Sequence, residues 1–169
     1  MKRAATAAVV IMAGLFVLVS CKQYLGSPGG ESSSLPSPEA KAFWTYIDED
    51  NPYTEWNYFP GYEGMYPGQS PHGAYLKLYA NDVAYRAAKN GEKMPDGAIL
   101  VKENYAKDKE TLAAITPMYK VNGYNPTAGN WFWAKYGPDG KTMASGKVDS
   151  CIKCHNAAKG NDYLFTKPR

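Results

Sequence analysis

Metal ligands and nucleophiles are scarce in this chain of 169 residues, which has three cysteines and two histidines. Three cysteines do not make the disulfide framework of a small secreted domain. A structural zinc site needs four ligands; there is no second cysteine pair, and Cys154 and His155 are adjacent, which makes joint tetrahedral ligation awkward. Excess charge is also lacking. Nineteen Lys and Arg stand against 16 Asp and Glu, and 17 against 16 once Lys2 and Arg3 are set aside with the N-terminal signal described below. No basic patch stands out, so neither DNA nor RNA is expected as a partner. No internal repeat is visible. Aromatic residues are plentiful at 14%, enough to build a core and to line a large planar cofactor. The length left after the N-terminal segment suits one domain.

The N-terminal segment reads as a targeting signal. Lys2 and Arg3 precede an apolar run over residues 4–19 that is too short to span a bilayer comfortably. The run ends in Leu18-Val19-Ser20-Cys21, which resembles the lipobox of bacterial lipoproteins. On that reading residues 1–20 are removed and Cys21 is acylated. The protein is then a lipid-anchored, periplasm-facing component of the bacterial cell envelope, with either membrane open. The plainer alternative is an ordinary secretory signal with Cys21 as a free thiol. Residues 21–38 are rich in Gly, Ser and Pro and read as a flexible tether to a folded domain over residues 39–169.

The other two thiols sit in Cys151-Ile152-Lys153-Cys154-His155. This is C-x-x-C-H, the attachment signature of a c-type haem. Two thiols one helical turn apart can each add to a porphyrin vinyl group. The imidazole after the second is then held under the iron as proximal ligand. A thioredoxin-like C-x-x-C would sit early in a βαβ unit, whereas only a short tail follows His155. A plain disulfide between Cys151 and Cys154 stays open. No Met follows His155. A sixth iron ligand would have to come from His72, Met65, Met94, Met118 or Met143; otherwise that position is open to a small molecule.

Between signal and motif the pattern is α+β. Ser37-Pro38-Glu39 opens a helix whose Phe43, Tyr46 and Ile47 share one face. It stops in the acidic stretch before Pro52. Residues 53–71 carry too much Pro and Gly for regular structure and read as a long loop, either wrapping the core or lining a cofactor pocket. Residues 72–79 alternate as a strand, with Ala74, Leu76 and Leu78 on one face. Asn81 or Asp82 caps a helix ending at Asn90-Gly91. Strands follow over residues 98–104, over residues 111–120 with an interruption at Pro117, and over residues 131–136. Together they suggest an antiparallel sheet with short flanking helices.

The segment from His72 to Phe165 resembles the cytochrome P460 family, which includes the β-type cytochromes c′. The stretches that carry this are His72-Gly73 before a strand ending Leu78-Tyr79-Ala80-Asn81, then Pro95-Asp96-Gly97-Ala98-Ile99-Leu100-Val101-Lys102-Glu103. Met118-Tyr119-Lys120, Asn130-Trp131-Phe132-Trp133, and the haem motif with Asp162-Tyr163-Leu164-Phe165 complete the ordered set. The resemblance implies a large antiparallel sheet, often a homodimer, with haem c at the C-terminal motif and His155 on the iron. It also implies a lysine bonded through its amine to a haem meso carbon, at the position of Lys102. Cytochrome P460 enzymes oxidise hydroxylamine and some use nitric oxide; the β-type cytochromes c′ lack the cross-link and bind nitric oxide or carbon monoxide.

Lys102 shares strand parity with Ala98 and Leu100, and Glu103 with Ile99 and Val101. Both faces have apolar neighbours, so alternation does not say which charge points inward. The family's distal Arg falls at Leu76, beside Lys77, and its distal Glu near Thr116; neither matches. Glu103 and Asp149 are the carboxylates that would substitute. Lys102 and Glu103 are therefore the candidate catalytic residues, and Cys151, Cys154, His155 and Lys102 the candidate haem-binding residues. The expected function is a monohaem protein with an open, mostly apolar distal iron site that binds hydroxylamine or nitric oxide. Oxidation of the bound species is left open, and a redox partner protein is expected. The rivals are an electron carrier with both axial positions filled and a gas binder without turnover.

Overall fold

The computed structural model describes residues 34–167. The expected signal, the acylated Cys21 and most of the tether lie outside them. Pro36, at the end of the expected tether, is held by the domain: its carbonyl accepts from the Tyr119 hydroxyl at 3.1 Å. Among the described residues no helix is long and apolar enough to cross a membrane.

Helix α1 spans Ala40–Thr45 and continues as a π-helical turn, Tyr46–Asp50, closed by the Asn51 N–H on the Tyr46 carbonyl at 2.9 Å. It starts later than expected because Ser37 does not cap it. Ser37 gives its backbone carbonyl to the Glu39 N–H, and Glu39 holds the cap position without a side-chain bond. The face of Phe43, Tyr46 and Ile47 is buried as its spacing predicts. Strands β1 (Asn57–Tyr58) and β2 (Tyr66–Pro67) are two residues each, so the long loop keeps little regular structure. Then come β3 (Tyr75–Ala80), α2 (Asp82–Lys89), β4 (Ile99–Tyr105), β5 (Leu112–Lys120), β6 (Trp131–Tyr136), β7 (Thr142–Gly146) and α3 (Asp149–His155). Asn81 caps α2 by accepting from Ala84 N–H at 3.0 Å. The same oxygen takes the Ile99 N–H, which ties the helix start to β4.

The fold is α+β, one antiparallel seven-stranded sheet with a few short helices. Its order is β1-β3-β4-β5-β6-β7, with β2 also on the outer edge of β3. Strand β5 is not broken at Pro117. Pro117 pairs with Val101 of β4, and the β6 ladder omits Thr116 and Pro117, which accommodates the missing N–H.

Both faces of the sheet are covered. Leu78, Leu100, Met118 and Trp133 point to one side, against α2, Phe59, Tyr163 and the α3 segment. Tyr79, Ile99, Val101, Ile115 and Phe132 point to the other, against α1 and Tyr53. Each large side chain buried in these cores contributes about 1.5–3 kcal/mol. Central strands therefore read as continuous apolar runs rather than alternating ones.

Candidate functional site

The C-x-x-C-H segment lies on α3, which rests on the first core through half-buried Ile152 and Cys151. Cys151 and Cys154, three apart, fall on one face of the helix. Cys151 is half-buried and Cys154 exposed. Burial raises the Cys151 thiol above its ordinary value, against a lowering bond to Ser150.

His155 ends the helix and is buried. Its Nδ1 donates to the Tyr163 carbonyl at 2.7 Å, which leaves Nε2 with a free lone pair. That carbonyl is placed by an unusual turn in which Asp162 and Tyr163 both have positive φ, 52° and 65°. Asp162 holds the turn from several sides. Its carboxylate meets Lys120 Nζ at 2.5 Å and accepts the Met94 N–H at 3.1 Å, while its carbonyl takes the Trp131 indole N–H at 3.0 Å. Burial lowers the His155 value, with the Tyr163 bond opposing and the nearby Lys102 charge assisting.

Lys102, Cys151, Cys154 and His155 line one cavity of about 360 Å3, together with His72 and Trp133. Such a volume is in the range of small-molecule sites. Burial pushes the Lys102 ammonium down to about 8, against a raising effect of Cys154. About a tenth of this amine is therefore neutral at pH 7, far more than for an ordinary lysine, and the neutral form is the one a nucleophilic lysine needs.

His72 stands at the mouth of β3, its ring centre 6.2 Å from that of His155 and its plane at 89° to it. Its Nδ1 lies 2.9 Å from Asn104 Oδ1. The Asn104 amide nitrogen faces three acceptors, the Lys102 and Ala114 carbonyls and Thr116 Oγ1, at 3.1, 3.0 and 3.0 Å. Oδ1 is thereby fixed as the acceptor, and His72 carries its proton on Nδ1. Burial, with the Lys102 charge adding and the Asn104 bond opposing, lowers His72 to about 4, so the ring is neutral at ordinary pH.

Glu103 is not brought to this site, and the expectation that it serves as a catalytic carboxylate is corrected. It lies on the opposite face of β4, 5% exposed, bonded to the hydroxyls of Tyr105, Tyr53 and Tyr79 at 2.8, 3.0 and 3.4 Å, with Lys77 at 3.8 Å. One-residue parity puts neighbours on opposite faces, and both faces here are cores. Asp149 is exposed and does not line the cavity. Of the upstream sixth-ligand candidates, His72 and Met118 line it, whereas Met94 is buried elsewhere and Met143 is 58% exposed. Sequence reasoning missed Asn104. Its one signal is that it shares parity with Lys102, a polar residue at i+2 on a face expected to be apolar.

Among the described residues no group of three or more His, Cys, Asp or Glu could cage a bare metal ion. A porphyrin-bound iron needs only one or two protein ligands. The residues fit such a group on a further point. Trp133, which meets the His155 ring edge to face at 4.6 Å and lines the cavity, has a buried indole N–H with no partner. A buried donor left unmade costs about 1–3 kcal/mol, and an acceptor-bearing cofactor would satisfy it. In comparisons with known proteins, the family described as cytochrome P460 matches residues 51–166. No curated protein matches the chain.

Proposed function

The chain belongs to the cytochrome P460 family and is a haem protein, and we propose that it is a monohaem c-type cytochrome that takes small nitrogen species such as hydroxylamine or nitric oxide at the iron. The observation that carries this reading is the convergence of both thiols, the His155 imidazole and the Lys102 amine on one cavity. Cys151 and Cys154 would hold the porphyrin by thioether bonds, and His155 Nε2 would take the proximal position, oriented by the Tyr163 carbonyl. A haem bound there supplies a redox-active iron with a second axial face. Lys102 is the residue for the cross-link that the family resemblance implies. Such a bond replaces a ring C–H and an amine N–H, the two hydrogens passing to an oxidant such as a peroxide.

The test is direct. Protein from a host competent in cytochrome c maturation should show covalent haem by intact mass and stain, and Cys151→Ser with Cys154→Ser should lose it. Nitric oxide and hydroxylamine should each shift the Soret band. A haem-loaded protein indifferent to both ligands would overturn the ligand-binding function and leave the electron carrier. Lys102→Ala with unchanged haem bands and unchanged haem-peptide connectivity would remove the cross-link. For its setting, we propose an envelope protein anchored by acylated Cys21, facing the periplasm and serving a redox partner protein, with homodimer formation. Cys21→Ala should release it from membranes.

A further inference from the structure

The chain has two histidines, and both face one cavity. Each has its Nδ1 pinned to an oxygen acceptor, His155 by the Tyr163 carbonyl at 2.7 Å and His72 by Asn104 Oδ1 at 2.9 Å. Each is thereby left with a bare lone pair on Nε2. This arrangement, a ring nitrogen orienting the ring through a carbonyl or amide so that the other can bind a metal, is how protein ligands are set up from behind. Two imidazoles sharing one metal along a line, each with a metal–nitrogen bond of about 2 Å, have ring centres roughly 6 Å apart. The observed separation is 6.2 Å, with the ring planes at 89°.

We propose that His72 is the sixth, displaceable ligand of the haem iron, so that a small nitrogen ligand enters only by breaking the iron–His72 bond. The exchange is one dative bond for another: the iron–Nε2 bond breaks, an iron–ligand bond forms, and no electron is transferred. His72 is suited to leave. It lies in the irregular stretch between β2 and β3 and is only half-buried. His155 is the firmer ligand, fixed in a helix and backed by the Asp162 turn. Gly73 keeps the His72 segment against β4, because a Cβ there would fall 2.5 Å from the Tyr105 backbone nitrogen and oxygen.

The inference rests on the haem reading above, and the experiment separates the two. Haem-loaded ferric protein should be low-spin, with the strongly anisotropic electron paramagnetic resonance signal of perpendicular axial imidazoles. His72→Ala should turn high-spin, and added imidazole should restore the low-spin spectrum. Carbon monoxide should bind the ferrous wild type at a rate that levels off with concentration, set by loss of His72, and bind His72→Ala at a rate that rises linearly. If His72→Ala is not recovered folded, His72→Gln, which keeps a polar partner for Asn104, serves the same measurements. A product without covalent haem overturns the haem reading itself. A haem-loaded wild type that is high-spin, or a low-spin spectrum that survives the loss of His72, overturns the ligand assignment alone.

Discussion

Replacing Glu103 by Gln should cost stability and leave the haem untouched. The carboxylate makes two short bonds, to the Tyr105 and Tyr53 hydroxyls at 2.8 and 3.0 Å, and two long contacts, to Tyr79 at 3.4 Å and Lys77 at 3.8 Å. Glutamine fills the same volume but carries no charge, and its amide nitrogen donates where one carboxylate oxygen accepted, so one of the two tyrosine hydroxyls has to turn and accept. Each short bond then falls from about 1.5–3 kcal/mol, typical of a charged acceptor, to about 0.5–1.5 kcal/mol, a loss of roughly 1 kcal/mol apiece. The two long contacts add little. The expected destabilisation is therefore about 2 kcal/mol, which for a domain of this size is a fall in Tm of roughly 6–10 °C. Far-UV circular dichroism of the haem-loaded protein during heating reads it. Alongside, the Soret band, the spin state and the carbon monoxide rate should match wild type, since Glu103 lies across the sheet from the cavity. A Glu103→Gln protein of unchanged Tm but altered haem spectrum or ligand binding would refute the assignment of β4's faces.

Three further outcomes follow from the same geometry. Lys102 is lowered to about 8 in the fold against an ordinary value of 10.5, so the unfolded chain binds more protons between those values. A haem-free Cys151→Ser, Cys154→Ser protein should gain stability as pH rises through that window, by up to about 3 kcal/mol, and Lys102→Met should flatten the dependence in urea titrations. Asp162→Ala strands the Lys120 ammonium and frees the turn behind His155; it should cost about 3 kcal/mol in urea unfolding and broaden the haem bands. Gly73→Ala, through its clash with the Tyr105 backbone, should lower Tm and raise the high-spin fraction of the ferric protein together.

Much of the architecture could be read in advance because local chemistry and final structure agree there. Asn81 caps, Gly91 ends α2 with a φ of 68°, and the Phe43, Tyr46 and Ile47 face is buried. The haem motif and Lys102 were legible from spacing and from family likeness, and the structure brings them to one cavity. What alternation did not resolve was β4. Its Leu100 and Val101 are both buried because helices and tail cover opposite sides of the sheet, so polarity ceases to mark inside and outside. Asn104 escaped notice for a related reason: an amide is as readily read as a strand-end residue, and only the cross-strand neighbours Ala114 and Thr116 reveal its three acceptors. Ser37 and Pro117 misled through propensity, the first because its carbonyl was used instead of its hydroxyl, the second because a ladder gap absorbed it.

The double coverage of the sheet bears on how the chain finds its alignment. Where one side of a strand is wet, sliding it by a single position exposes grease and is rejected at once. Sliding β4 would merely trade Leu100 for Val101, one aliphatic for another. What it would also do is deliver a carboxylate to the cavity beside His155 and leave an ammonium among tyrosine rings, with the Glu103 bonds to Tyr53 and Tyr105 lost. The adjacent opposite charges at positions 102 and 103 thus act as a keyed notch, penalising misalignment that the oily residues around them would tolerate.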